Sequence, residues 1–87
     1  MKVSRKDFEM VRKVDEYHRG HGHMLGIGAK VDLKIRNGDY FILQTIRSPM
    51  LWGIESDSDE DYFDEIYQEE CQTLEQMLTE MGMTIVG

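Results

Sequence analysis

Eighty-seven residues with ten Lys and Arg, seventeen Asp and Glu and a formal charge of −7 make one small acidic domain, residues 1–87. That length leaves no room for a catalytic domain beside a binding domain, and a pI of about 4.8 disfavours direct contact with nucleic acid or an anionic membrane, because like charges repel. A single cysteine, Cys71, excludes an internal disulfide framework and a cysteine-based zinc site.

A chain that is 40% apolar and 31% charged has the composition of a folded protein. A domain this short buries only roughly 60% of the surface of its unfolded form, so its stability is expected to be modest or helped by oligomerisation. No apolar run approaches the ~20 residues of a membrane span, and Met1-Lys2-Val3-Ser4-Arg5-Lys6 leads into no signal-peptide core, so the expected location is cytoplasmic. The charge is sorted along the chain. Residues 1–47 hold all ten basic residues against six acids, and residues 48–87 hold eleven acids and no base.

Ser4-Arg5-Lys6-Asp7 fits a helix start, with a hydroxyl cap and a carboxylate three residues later near the positive end of the dipole. Phe8, Val11, Val14 or Asp15, and Tyr17 or His18 then recur every three to four residues, which predicts a helix over residues 4–18, ended by Arg19-Gly20-His21-Gly22. Next, Leu25, Ile27, Ala29, Val31, Leu33 and Ile35 alternate with Gly26, Gly28, Lys30, Asp32, Lys34 and Arg36, a strict period of two that specifies a strand with one buried face. Asn37-Gly38 suits a two-residue turn, and residues 40–47 return as the second strand of a hairpin.

Around that turn Ile35 is expected to face Tyr40, Leu33 to face Ile42, and Ala29 to face Ile46. Phe41 and Leu43 then fall on the second face, beside Lys30, Asp32 and Lys34, where either the N-terminal helix or a partner would cover them. Ser48-Pro49 breaks the strand. Met50, Trp52 and Ile54 alternate as a short third strand that packs the only tryptophan onto the sheet, and Gly53 suggests a bulge or a close backbone approach. Ser58-Asp59-Glu60-Asp61 reads as a capping box for a helix over residues 59–81. Phe63, Ile66, Tyr67, Leu74, Met77, Leu78 and Met81 form its apolar stripe, and Gly82 closes it. Thr84-Ile85-Val86 reads either as a short edge strand or as a frayed end.

Two segments, residues 17–29 (YHRGHGHMLGIGA) and 48–58 (SPMLWGIESDS), resemble a family of small bacterial and phage-associated proteins of unknown function. The family's hallmark is a Gly-Leu-Trp-Gly-Ile-Glu-Ser-Asp-Ser stretch before an acidic helix; Met50 stands where the family usually has glycine. The likeness spans roughly residues 17–82 and brings no catalytic residues with it. It implies a strand–hairpin–helix layout and a phage or mobile-element setting.

Four constellations invite chemistry. His18, His21 and His23 carry the commonest ligand type for transition metals, but their spacing is loose and glycine-rich, which fits a weak metal-binding module at most, and no metal or other cofactor is expected. Asp57, Asp59 and Asp61 mimic the opening of a calcium loop, which then fails at Tyr62 and Gln68, where glycine and glutamate are required. Gly22, Gly26 and Gly28 precede or interleave with a strand rather than opening a helix, so they read as room for a close neighbour and not as a phosphate loop. Cys71 sits among Glu69 and Glu70, which raise a thiol pKa, and no nucleophile–base pair can be assembled, so an enzyme is not expected.

The expected fold is α+β: an N-terminal helix, an antiparallel hairpin extended to three strands, and a long acidic C-terminal helix packed on the sheet. Between Asp59 and Glu80 that helix carries nine carboxylates over ~32 Å, close to the ~3.4 Å phosphate spacing along one DNA strand. The functional expectation is a non-enzymatic acidic binding protein in which Asp57, Asp59, Glu60, Asp61, Asp64, Glu65 and Glu69 engage a basic host protein, as an anti-CRISPR or anti-restriction inhibitor that mimics nucleic acid would. The bland counterpart is a solvated face, or one paired with the basic half of the same chain. The alternative function is a homodimer with a structural or housekeeping role, with Phe41, Leu43 and Trp52 at the subunit interface.

Overall fold

A computed structural model describes residues 1–14 and 24–87. The chain runs through β1 (Lys2–Ser4), a 3-10 turn (Arg5–Asp7), β2 (Glu9–Val14), β3 (Met24–Asn37), β4 (Tyr40–Arg47), β5 (Leu51–Glu55), helix α1 (Glu60–Glu80) and β6 (Thr84–Val86). The fold is α+β, with one long C-terminal helix against a mostly antiparallel sheet. No helix among the described residues is long and apolar enough to cross a membrane.

Strand β3 is the spine. Its odd residues Ile27, Ala29, Val31 and Leu33 are buried, and α1 lies along them. Phe63 and Ile66, early in the helix, pack on Ile27 and Ile54. Leu74 and Leu78, later in it, pack on Ala29, Val31, Leu33, Phe8 and Val3. The helix therefore runs in the same direction as β3, with its two ends on two adjoining clusters. Its C-terminus closes as a Schellman motif: Met83 N donates to Leu78 O and Gly82 N to Thr79 O, both at 3.0 Å, and Gly82 takes a φ of 89°. At the N-terminus the capping box does not form, because Asp59 holds the cap position without a side-chain bond and Ser58 N instead closes a turn on Glu55 O.

The expected N-terminal helix is replaced by strands. Ser4 does accept a bond from Lys6 N, as a cap should, but the helix stops after one 3-10 turn and Phe8 is already extended. The cause is tertiary. Residues 26–29 are buried, and their backbone N–H and C=O groups require partners on both edges. Strand β2 supplies one edge, pairing Glu9 with Lys30 through Val14 with Leu25. Alternation then sends Phe8, Met10 and Arg12 toward α1 and leaves Glu9 and Lys13 on the other face. The predicted end of that helix, residues 19–22, lies outside the described residues. The C-terminal segment is a true strand: β6 pairs in parallel with β1, making a separate two-stranded sheet.

The other edge of β3 is shared. Strand β4 covers Lys30 to Asn37 and β5 covers Met24 to Ile27. The hairpin turn is Gly38-Asp39, not Asn37-Gly38, with Gly38 at φ 63° in the first turn position, as a type II′ turn requires. Ile35 consequently faces Ile42, Leu33 faces Gln44 and Val31 faces Ile46, two residues from the expected pairing. A shift of two preserves the faces, so Phe41 and Leu43 still fall on the side away from α1.

Between β4 and β5 the chain crosses a seam at residues 48–50. Ser48 N donates to Ala29 O at 2.8 Å, and the Ser48 hydroxyl, rather than a backbone carbonyl, accepts the Ala29 N–H at 3.0 Å. The same hydroxyl donates to Glu70 Oε1 at 2.9 Å, tying the sheet to the helix. Met50 then takes a φ of 72°, a left-handed conformation easiest for glycine.

Opposite Gly26, β5 inserts two residues, Trp52 and Gly53, with Gly53 at φ 81°. This bulge overturns the expected alternation of Met50, Trp52 and Ile54 on one face. Ile54 enters the core under α1, whereas Trp52 and Met50 cover Gly26 and Gly28 from the opposite side. A Cβ on Gly26 would lie 2.5 Å from the Trp52 ring, and one on Gly28 would lie 2.4 Å from Met50 Cγ, so a side chain at either position would displace the residue that covers it.

Ser48 is 4% exposed, and its hydroxyl both accepts the Ala29 N–H and donates to Glu70, so its removal orphans a buried amide and a carboxylate. Ser48→Ala is expected to destabilise the fold by about 1–3 kcal/mol in urea unfolding, and Glu70→Gln, which keeps an acceptor, by clearly less. A Ser48→Ala cost no larger than that of Glu70→Gln would show that the hydroxyl does not bridge the two elements.

Candidate functional site

The solvent side of α1 is the candidate surface. Burying Phe63, Ile66, Leu74 and Leu78 turns Asp61, Asp64, Glu65 and Glu69 outward by helical periodicity, and all four are exposed. Asp57 and Asp59, before the first turn, are exposed as well. Asp59, Asp61, Asp64, Glu65 and Glu69 thus fall within the eleven residues 59–69, ten steps or ~15 Å at the helical rise. They share one end of the helix, beside the positive end of its dipole, which favours anionic side chains there.

The rest of the carboxylate row is interrupted. Glu60, one of the expected partner-binding residues, is gripped by Arg12 from β2 in a bidentate pair, Nη2 to Oε2 at 2.7 Å and Nη1 to Oε1 at 3.3 Å. Arg12 also stacks over the Phe63 ring, 4.8 Å from its centroid. Glu70 is bonded to Ser48, and Glu75 is ion-paired with Arg5. The basic half of the chain therefore neutralises the flanks of the helix. The row of nine carboxylates over ~32 Å, already denser in its first half, reduces to a patch near its start.

The hydrogen bond from Arg12 holds the Glu60 carboxyl below the ordinary glutamate value, with the Arg12 charge adding to the effect. A depressed carboxyl pKa stabilises the fold above the unfolded value, and that contribution fades as pH falls through the folded one. Arg12 is held above its usual value by the same bond.

The other sheet face carries the opposite charge. Lys30, Lys34 and Arg36 alternate away from the helix, Lys30 pairing with Glu9 at 3.4 Å and lying 3.9 Å from Asp32. Thr45 Oγ1 donates to Asp32 Oδ1 at 2.5 Å, and Lys34 sits over the Phe41 ring, 4.3 Å from its centroid. On that face Lys13, Lys30, Lys34 and Arg36 outnumber Glu9 and Asp32, whereas the exposed side of α1 is acidic, with Arg5 and Arg12 reaching round the edge.

A shallow groove between the 3-10 turn and α1 is lined by Arg5, Phe8, Tyr67, Cys71 and Glu75. Burial pushes the Cys71 thiol above its ordinary pKa; Glu75 and Glu70 add to the rise, and a hydrogen bond with Tyr67 opposes it. Burial and that same bond push the Tyr67 phenol up to about 12. Both groups are therefore protonated at neutral pH, the reverse of an activated nucleophile. Among the described residues no three His, Cys, Asp or Glu side chains are grouped to hold a metal. His18, His21 and His23 lie outside the described residues. Sequence reading missed Arg12, whose partner is 48 positions away; its one local signal was a cation on the Phe8–Met10 side of a two-residue alternation.

No family model matches the chain, and neither does any curated protein or solved structure at a significant level.

A raised thiol pKa stabilises the fold below the unfolded value and is lost as pH rises through the folded one. Native Cys71 is accordingly expected to react with iodoacetamide much more slowly at pH 8 than the urea-unfolded chain does, and to reach its full rate only at a higher pH than the unfolded chain. Equal rates in the native and unfolded states at pH 8 would contradict the burial of the thiol.

Proposed function

We propose that this chain is a non-enzymatic binding protein that docks the start of its acidic helix on the basic surface of another protein, in competition with nucleic acid. One observation carries the reading: Asp61, Asp64, Glu65 and Glu69 share the exposed side of a helix held to the sheet by four buried side chains. Asp57 and Asp59 extend that patch, and Glu60 borders it through its pair with Arg12.

A surface that displaces nucleic acid must hold anions at fixed spacing, because each carboxylate replaces a phosphate whose position the partner already fits. Helical packing supplies that rigidity, and the lysines of β3 point the other way. Five carboxylates over ~15 Å approach one per ~3–4 Å, close to the ~3.4 Å rise per phosphate along one DNA strand. The narrower version is inhibition of a host nucleic-acid-handling system of the CRISPR or restriction type. Its phage setting rests on the resemblance in residues 17–29 and 48–58 alone.

Capture from a bacterial lysate on immobilised protein tests the reading. A basic partner is expected to be retained at low salt, released as ionic strength rises, and displaced by duplex DNA. The triple reversal Asp61→Lys, Asp64→Lys, Glu65→Lys is expected to abolish capture without loss of helicity. Capture that survives both the reversal and high salt would refute an acidic docking face.

A further inference from the structure

Among the described residues strand β4 is an open edge with unusual chemistry. No described strand pairs with its outer side, and the molecule is drawn out to 51 × 24 × 19 Å. Tyr40 is 77% exposed, Phe41 59%, Ile42 46% and Leu43 77%. Although 31% of the chain is charged, residues 40–46 (YFILQTI) contain no charge and no proline, the two devices that ordinarily protect such an edge.

The hydrogen bonding leaves specific groups free. Residues flanking a two-residue turn form a hydrogen-bonded pair, so Tyr40, Ile42, Gln44 and Ile46 direct their backbone groups to β3. The Ser48 N to Ala29 O bond continues that pattern. Phe41, Leu43 and Thr45 consequently point their N–H and C=O groups outward.

Charge then selects the occupant and its register. The charges bounding this stretch, Asp39 and Arg47, are each four residues from Leu43. In an antiparallel pairing of two identical strands centred on Leu43, Asp39 of each copy meets Arg47 of the other. Phe41 meets Thr45, Tyr40 meets Ile46, Ile42 meets Gln44, and Leu43 meets its own counterpart on the twofold axis. The odd residues form the new hydrogen-bonded pairs, as their outward groups require. A register shifted by two in either direction breaks both Asp39–Arg47 contacts.

We propose that β4 is the subunit edge of a homodimer, pairing with a second copy of itself about Leu43 and joining the two sheets into one. A twofold relating antiparallel neighbours stands perpendicular to the sheet, so both α1 helices lie on the same side and the dimer shows two acidic faces in one direction. Trp52, also expected at such an interface, lies on β5 over Gly26 and is not part of this edge.

Sedimentation of the full chain over a wide concentration range tests the pairing. The wild type is expected to shift with concentration from 10.2 kDa to twice that mass and no further. Leu43→Pro removes an outward N–H while leaving the β3 ladder intact, and it should stay monomeric with native circular dichroism. Asp39→Arg and Arg47→Asp should each weaken dimerisation about tenfold, because two cross-strand pairs become repulsive, and the double exchange should restore it. A wild type that is monomeric throughout, leaving the edge to a foreign strand, would overturn the proposal. So would failure of the double exchange to rescue, a readout that holds even if Leu43→Pro does not fold. The acidic docking face is independent of these outcomes.

Discussion

Everything in this fold follows from the need to bury the odd face of β3. Ile27, Ala29, Val31 and Leu33 provide the apolar floor, and Phe63, Ile66, Leu74 and Leu78 of α1 provide the cover. A strand buried at its centre must also find backbone partners on both edges, and that second demand shapes the rest of the chain. It draws residues 9–14 into β2, splits the other edge between β4 and β5, and leaves a seam that Ser48 closes with its side chain. The Ser48 hydroxyl spans the seam and the sheet–helix interface together, so one residue couples the two layers.

The same alternation sorts the charges. Even positions of β3 carry Lys30, Lys34 and Arg36 away from the helix, so the basic half of the chain largely faces one way and the acidic helix the other. Asp61, Glu65 and Glu69 repel one another at four-residue spacing, which costs about 0.2–0.5 kcal/mol per pair. The helix dipole offsets part of this in the first turn. The last turn has no basic residue, and Asp59 offers no side-chain cap. Packing on β3, rather than local preference, is what holds α1 in place, and a helix fixed from below can keep a repulsive face above.

How much could be read in advance depended on whether a segment's pattern was set locally. The alternation of 25–35, the stripe of α1 and the Gly82 stop are local, and each appears where the sequence puts it, except that Met81 at the end of the stripe is the exposed C-cap. Residues 8–14 fit two periods: Phe8, Val11 and Val14 suit a helix, whereas Phe8, Met10 and Arg12 suit a strand. The buried edge of β3, far away in sequence, decides between them. Asn37-Gly38 is the stronger turn pair, yet Gly38-Asp39 places glycine first and shifts the pairing by two residues without changing either face. Trp52 was assigned to the wrong face because a bulge reverses alternation; Gly53 pointed to the bulge, and Gly26 and Gly28 marked where the ring and Met50 would lie. For the candidate surface, the exposed carboxylates were legible from periodicity. The capture of Glu60, Glu70 and Glu75 by Arg12, Ser48 and Arg5 was not, because those partners converge only in the folded chain.

Amide hydrogen exchange tests most directly whether α1 is a rigid display fixed to β3. Amides of residues 27–31, Leu33 and residues 66–78 are expected to exchange at one common, slowest rate, as a single cooperative unit that opens only on global unfolding. Helix amides that exchange orders of magnitude faster than those of β3 would mean that α1 lifts from the sheet by itself, and the acidic face would lose the fixed geometry on which its role depends.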